Sequence, residues 1–145
     1  MKNQVLSQAG DLRTVALILD SGEEAFSSIS AFAKSERLFG ASLTAIGAFS
    51  EATVGWFDFT RKAYDRIEVT EQCEVLSLIG DIAEDDDGQA SLHAHVVVGL
   101  KDGTTRGGHL LSAKVHPTLE VVLTETPRHL HRRKVADLGI ALIQP

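Results

Sequence analysis

Three histidines, His93, His95 and His109, have the side-chain type and spacing that could hold a metal ion. His93 and His95 lie in LHAHVVVG, a segment typical of a β-strand, and side chains two residues apart on a strand point to the same face. Two such imidazoles can converge on one ion. A third from a neighbouring strand would leave the fourth tetrahedral position open to water or substrate, as in catalytic zinc sites. The sequence therefore predicts a site for zinc or another divalent transition metal.

The register between two predicted strands decides whether His109 reaches this site. A two-residue turn at Asp102-Gly103 would pair His109 with Val96, whose side chain points to the wrong face. A glycine bulge at Gly107-Gly108 would shift the register by one residue and bring His109 to the required face. The alternative interpretation is that the histidines form hydrogen bonds at a subunit interface or a strand end, in a domain that serves assembly.

Two glutamates, Glu51 and Glu120, border predicted strands and are the candidates for a fourth metal ligand. Carboxylate oxygens are ordinary zinc ligands. No serine or threonine lies in a nucleophile-elbow sequence, so the sequence assigns no catalytic residue.

A basic cluster lies near the end of the chain and consists of Arg128, Arg132, Arg133 and Lys134. Such a cluster predicts either a contact for nucleic acid or another anion, or simply a solvated edge. The formal net charge of the chain is -6. Because DNA affinity comes mainly from neutralising phosphates with Lys and Arg, we expect DNA binding to be weak or absent.

The composition indicates one globular domain in a reducing compartment. The chain has 145 residues, of which 43% are hydrophobic and 23% charged. A single cysteine, Cys73, excludes an intrachain disulfide. The first residues contain no apolar stretch of signal-peptide or membrane-helix length. We therefore expect a cytoplasmic protein without a membrane partner.

The order of apolar patterns predicts an α+β domain over residues 11–143, with residues 1–10 as an N-terminal extension. A strand at residues 13–19 is followed by a helix with apolar positions from Ala25 to Ala33, which we expect to end before Gly40. Ser21 and Glu24 have the spacing of a capping box at the start of this helix. Short strands joined by turns then predict an antiparallel meander, at residues 42–48, 52–59, 67–69, 73–82, 90–99, 109–115 and 119–124, with a last strand within 135–143.

Four segments resemble the PPC (DUF296) family, a domain of plants and prokaryotes, in order, spacing and content. They are GASLTAIGAFSEATVGWFD, EVLSLIGDIA, LHAHVVVG and DGTTRGGHLLSAKVHPTLEVVL. The resemblance runs from about Arg13 to Ile143, and the combination of LHAHV with a later GGHL after a DG turn is specific. It identifies the chain as a stand-alone prokaryotic member.

This resemblance implies a homotrimer with helical structure packed on an antiparallel sheet. Plant members carry AT-hooks, and bacterial members carry a provisional DNA-binding label. This chain has no Arg-Gly-Arg-Pro motif, so the element that reads the minor groove is absent. Residues 71–76 read EQCEVL where plant members have GRFEIL, a segment tied to partner contacts. Both departures argue against DNA as a strong partner.

The fold is also similar to that of acetolactate decarboxylase, a zinc enzyme with a His-x-His strand pair and a later histidine. His93, His95 and His109 match that order, with a longer gap before the third histidine. We therefore expect a homotrimeric, metal-binding PPC module. The alternative function is a zinc-dependent enzyme acting on a small oxo- or hydroxy-acid or an ester, so a small-molecule ligand is expected in that case.

Overall fold

The structure is a computed structural model that describes residues 1–10 and 12–144. These residues form nine strands and one helix. In chain order they are β1 (Lys2–Ala9), β2 (Leu12–Asp20), α1 (Ala25–Ser35), β3 (Gly40–Asp58), β4 (Ala63–Val69), β5 (Cys73–Glu84), β6 (Ala90–Gly99), β7 (Thr105–Glu125), β8 (His131–Val135) and β9 (Ile140–Gln144).

The helix α1 follows β2 as predicted, but its N-cap differs from the predicted capping box. The cap is Glu24, whose carboxylate accepts hydrogen bonds from the backbone N–H groups of Phe26, at 3.2 Å, and Ser27, at 2.6 Å. The same carboxylate accepts from the backbone N–H of Ala113 at 3.0 Å, which ties the helix start to β7. Ser21 is not the cap because the helix begins only after Glu24. One face of α1 is buried, at Ala25, Ile29, Phe32 and Ala33.

The predicted α+β class, rich in sheet with one main helix, is confirmed, but the sheet is mixed and not the antiparallel meander that was predicted. Its strand order is β1-β2-β7-β3-β5-β8-β9, with β4 paired to β3, and β6 paired to β5 and β7. β8 pairs with β5 in parallel, at Glu84 opposite His131. β5 and β7 are both antiparallel to β3, so they run in the same direction as each other. The chain continues from the end of β7 past the start of β3 and enters β8 in that direction, so β8 pairs with β5 in parallel.

Four strands pair in a closed circuit, and the core is formed by side chains of these strands together with those of β2 and α1. β3 pairs with β5 and β7, and β6 pairs with the other edges of β5 and β7. The two longest strands, β3 and β7, were each predicted as two shorter ones. Register shifts between Ala45 and Gly47 and between Phe49 and Glu51 interrupt β3. In β7, the sequence His116-Pro117 separates the two predicted parts. The largest fully buried side chains include Phe49, Leu17, Leu19, Ile29, Leu78, Ile82, Leu110, Leu119 and Leu123.

Both ends of the described chain form strands at the edges of the sheet. Residues 1–10, predicted as an extension, contain the exposed strand β1, which pairs with β2 from Lys2 opposite Ile18 to Ala9 opposite Leu12. The last two strands, β8 and β9, form an antiparallel hairpin. In the described part of the chain, no helix is long and apolar enough to cross a membrane.

Candidate metal centre

The strand pair β6–β7 places His95 directly opposite His109. The cause is the loop between the strands rather than the predicted glycine bulge, since the register of this pair runs without a shift from His95–His109 to Gly99–Thr105. Leu100 and Thr104 close the loop, with the Leu100 N–H donating to the Thr104 carbonyl at 2.8 Å. Three residues remain in the turn, and the last, Gly103, has a φ of 82°. Because the turn has three residues and not two, His109 pairs with His95, and paired residues point to the same face of the sheet.

The three histidines meet on the face of the sheet that points away from the core. The neighbours of His95 along β6, Ala94 and Val96, are buried, while His93 and His95 are more exposed. One ring nitrogen from each of the three histidines lies within 4.8 Å of the other two. The ring centroids are 5.0 to 5.3 Å apart. Two nitrogens bound to one zinc ion, each at about 2.1 Å, are at most about 4.2 Å apart. Modest rotations of the rings would therefore bring all three nitrogens within bonding distance of one ion.

The lowered pKa values of His95 and His109 favour the neutral imidazole that a metal ion requires. Burial, followed by the nearby His93, His95 and Arg132, lowers the pKa of His109 to about 4. Burial and His93 also lower the pKa of His95. His109 Nδ1 is buried and has no hydrogen-bond partner among the described residues. Because an unpaired buried nitrogen is costly, Nδ1 in its lone-pair form is available to a metal ion or to a water.

A charged pair lies behind His93. Asp81 is paired with His93 across β5 and β6, and its Oδ2 lies 3.7 Å from His93 Nδ1. Arg132 Nη2 donates to Asp81 Oδ1, and Arg132 Nη1 donates to the Ser91 carbonyl at 3.1 Å. Burial by itself would raise the pKa of Asp81, but His93 and Arg132 hold it below its usual value. A carboxylate beside a ligating histidine can fix the ring orientation and the tautomer.

A pocket of about 700 Å³ opens onto the three histidines. One wall is the β3–β4 hairpin and the other is β9. The Tyr64 ring stacks on the His109 imidazole, with centroids 4.8 Å apart and an interplanar angle of 24°. The lining includes Gly55, Trp56, Phe57, Phe59, Lys62, Tyr64, Arg132, Ile140, Ala141 and Leu142 beside the histidines.

The aromatic wall was not predicted from the sequence, and Arg132 was predicted outside the site. The only Trp, the only Tyr and two of the six Phe lie in residues 56–64, and this concentration was the available signal. Arg132 was assigned to a basic cluster, yet its side chain is 6% exposed and it lies at the pocket. No local pattern could identify it, because its partner Asp81 is 51 residues away.

The structure does not bring the two candidate glutamates to the histidines. Glu51 pairs with Lys114 on β7, five positions beyond His109, and lines a separate pocket with Glu24 and Glu68. At about 3.3 Å per residue, that separation exceeds any metal–ligand distance. Glu120 pairs with Ile46, still farther along β7. Neither is a fourth ligand within this subunit, and Asp81 is the carboxylate that contacts the triad.

The four basic residues do not form one cationic face. Arg132 is buried against Asp81. Arg133 Nη1 donates to the Asp85 carbonyl at 2.9 Å, and its Nε lies 3.6 Å from Asp86. Arg128 and Lys134 are exposed. Acidic residues of the β5–β6 loop therefore face part of this cluster.

Three solved structures are similar to the chain over nearly its whole length. A plant- and prokaryote-conserved (PPC) protein of Pyrococcus horikoshii has 31% sequence identity and a TM-score of 0.85, with 96% of this chain and 98% of that chain covered. A metal-containing protein of Archaeoglobus fulgidus has 32% identity and a TM-score of 0.83, with 100% of both chains covered. A protein of Bacteroides thetaiotaomicron with a provisional DNA-binding label has 30% identity and a TM-score of 0.84, with 95% and 94% covered.

A more distant similarity concerns the fold alone. The α-acetolactate decarboxylase of Bacillus subtilis has 13% identity and a TM-score of 0.57, with 88% of this chain and 58% of that chain covered. No curated protein matched the chain. The model of the Plants and Prokaryotes Conserved (PCC) domain family matches residues 6–127. The chain therefore belongs to this family, which is the PPC family that its sequence motifs resemble.

Proposed function

We propose that this PPC-domain protein binds one divalent transition metal ion per subunit on His93, His95 and His109. The observation that carries the proposal is the convergence of three imidazole nitrogens on one face, where a buried nitrogen of His109 has no hydrogen-bond partner within residues 1–10 and 12–144. A set of three neutral nitrogen donors fits zinc and similar ions. The metal-containing relative from Archaeoglobus fulgidus adds support.

The residues around the triad have separate roles in this proposal. The three histidines hold the ion, while Asp81 and Arg132 hold the His93 ring in place. The pocket leaves the coordination open toward the aromatic wall. A zinc-type ion in such an open site supplies a Lewis acid, or a bound water of lowered pKa.

Metal analysis of untagged protein, purified without added metal, tests the proposal. We expect about one zinc-type ion per subunit, and an apoprotein that takes up one equivalent of Co²⁺ with a visible spectrum of low-symmetry coordination. His95→Ala and His109→Ala should abolish uptake. His131→Ala is the matched control, because His131 lies in β8 outside the triad. A wild-type protein that takes up no ion, or equal uptake by His95→Ala, would refute the proposal.

The second candidate function is a zinc-dependent enzyme acting on a small oxo- or hydroxy-acid or an ester. The observation that favours it is the pocket, which gives a small molecule access to the triad between mostly apolar walls. Metal-dependent turnover of small ester or 2-oxo acid substrates, lost in His95→Ala, would support this function. Turnover that persists in the metal-free protein would exclude it.

We also propose that the chain assembles as a homotrimer through the outer face of its sheet. Several large apolar side chains on β3, β5, β6 and β7 are exposed there, at Ile46, Leu76, Ile79, Val97 and Val122. Ile79 and Val122 flank Thr44 from the two neighbouring strands, so they form one continuous patch. Patches of this kind are usually covered by a partner.

A further inference from the structure

The pocket beside the triad carries an inference about its ligand, and this inference rests on the proposed metal site. We propose that the pocket binds a small aromatic acid. The acid group ligates the metal at the triad, and the ring lies between the β3–β4 hairpin and β9. Three features support it: the charge at the triad end, the aromatic wall, and the shape set by a glycine.

The charge at the triad end favours an anionic head group. The three ligating imidazoles are neutral when they bind, so they leave the charge of a divalent ion uncompensated. The nearby carboxylate, Asp81, is already paired with Arg132. Lys62 adds a further positive group to the pocket lining. An acid such as a carboxylate or a hydroxamate would compensate this positive charge, and its oxygen atoms can bind at the open coordination position.

The walls favour an aromatic body for the same molecule. Phe59 lines the pocket, yet it is 62% exposed, so its ring is available for stacking. Phe57 holds this wall in shape, because its ring meets Phe59 and Tyr64 edge-on at 5.2 and 5.0 Å. A flat aromatic ligand would be stabilised here, because stacking removes both its own apolar surface and that of the exposed side-chain rings from water.

A glycine determines how the aromatic wall meets the triad. Gly55 lies directly opposite His109, and a Cβ there would come within 2.6 Å of Tyr64 Cδ1. The missing side chain lets the Tyr64 ring lie flat on His109. The pocket volume of about 700 Å³ suits a molecule of one or two rings. The aromatic wall therefore continues without interruption to the metal ligands.

Two hydroxamates with the same metal-binding head test this inference on the Co²⁺-loaded full chain. Benzohydroxamate carries a ring and acetohydroxamate carries a methyl group, and the cobalt spectrum reports the binding of both. We expect benzohydroxamate to bind at least about tenfold tighter, which corresponds to about 1.4 kcal/mol. Phe57→Ala and Phe59→Ala should reduce this preference severalfold, with unchanged cobalt content and unchanged acetohydroxamate affinity. Leu6→Ala, an exposed apolar residue on β1, is the control and should keep the preference.

The possible results separate this inference from the proposed function. A protein that takes up no cobalt overturns the metal site and this inference together. A cobalt-loaded protein with equal affinities for the two probes overturns this inference alone. So does a ring preference that survives in both aromatic variants, and so does an aromatic wall already covered by a second copy of the chain.

Discussion

The guanidinium of Arg132 donates a hydrogen bond to one carboxylate oxygen of Asp81, and the other oxygen of Asp81 lies 3.7 Å from Nδ1 of His93. Arg132 comes from β8, which the family match at residues 6–127 does not include. The C-terminal hairpin is thereby connected to the candidate metal centre through one buried ion pair. Its influence on the site can be measured at Asp81.

Replacing Asp81 with Asn should lower the metal affinity about tenfold to a hundredfold, without changing the stoichiometry. The physical reason is that a neutral amide no longer pairs with Arg132 or orients the His93 ring as a carboxylate does. Competition with a chromophoric chelator measures the affinity. Asp20→Asn is the control, because Asp20 is the last residue of β2, far from the triad in the sequence, and forms an exposed ion pair with Lys2. An unchanged affinity in Asp81→Asn would show that Asp81 has no role at the site.

Replacing Glu125 with Gln should lower the free energy of unfolding at pH 7 by about 1.5–3 kcal/mol. Arg13 Nη2 and Nε donate to the two oxygens of Glu125 at 2.9 and 3.1 Å, and this pair joins β2 to β7. Only 12% of the Glu125 side chain is exposed, so solvent screens the pair weakly. Urea unfolding at a fixed protein concentration measures the loss. Glu68→Gln, at an exposed position on β4 away from this ion pair, should change stability little.

The pH dependence of this effect has a defined sign. The hydrogen bond from Arg13 lowers the pKa of Glu125 in the folded state, while the unfolded value is about 4.3. The stabilisation is therefore complete above the unfolded pKa and disappears as the pH falls through the folded pKa. The difference between wild type and Glu125→Gln should shrink below about pH 4. A difference that stays constant from pH 7 to pH 3 would contradict the assigned cause.

Replacing Ile79 with Asp should dissociate the proposed trimer, because it buries a charge in the apolar patch on the outer face. Multi-angle light scattering of the two proteins at micromolar concentration measures the change. Leu138→Asp is the control, since Leu138 is exposed in the turn between β8 and β9. A wild-type protein that is a stable monomer at that concentration would rule out the trimer.

Binding to duplex DNA should be weak and should be lost as salt rises toward physiological concentration. The net charge is -6, and two of the four basic residues near the C-terminus, Arg132 and Arg133, face acidic or carbonyl groups. Fluorescence anisotropy with labelled duplexes at several salt concentrations measures this. Sequence-selective binding at nanomolar protein in physiological salt would show that Arg128 and Lys134 belong to a real DNA interface.

Much of the fold was predictable because local patterns report local structure. The bounds of β6 at Ala90–Gly99 were predicted correctly from its richness in strand-forming residues, and the apolar face of α1 from its helical spacing. The placement of His93 and His95 on one face also follows from the period of a strand. Each of these depends only on residues close in the chain.

The sequence by itself determined that two imidazoles share a face and that a third histidine follows on the next strand. Only the tertiary structure decided that the third one faces them, because a turn of three residues rather than two reverses the side chains of a whole strand relative to its partner. The same holds for Tyr64, which reaches His109 from 45 positions away, and for Arg132, which reaches Asp81 from 51. Such contacts arise because β3 pairs with both β4 and β7, and β5 pairs with both β6 and β8. No local pattern contains that information, because it depends on how distant strands pair.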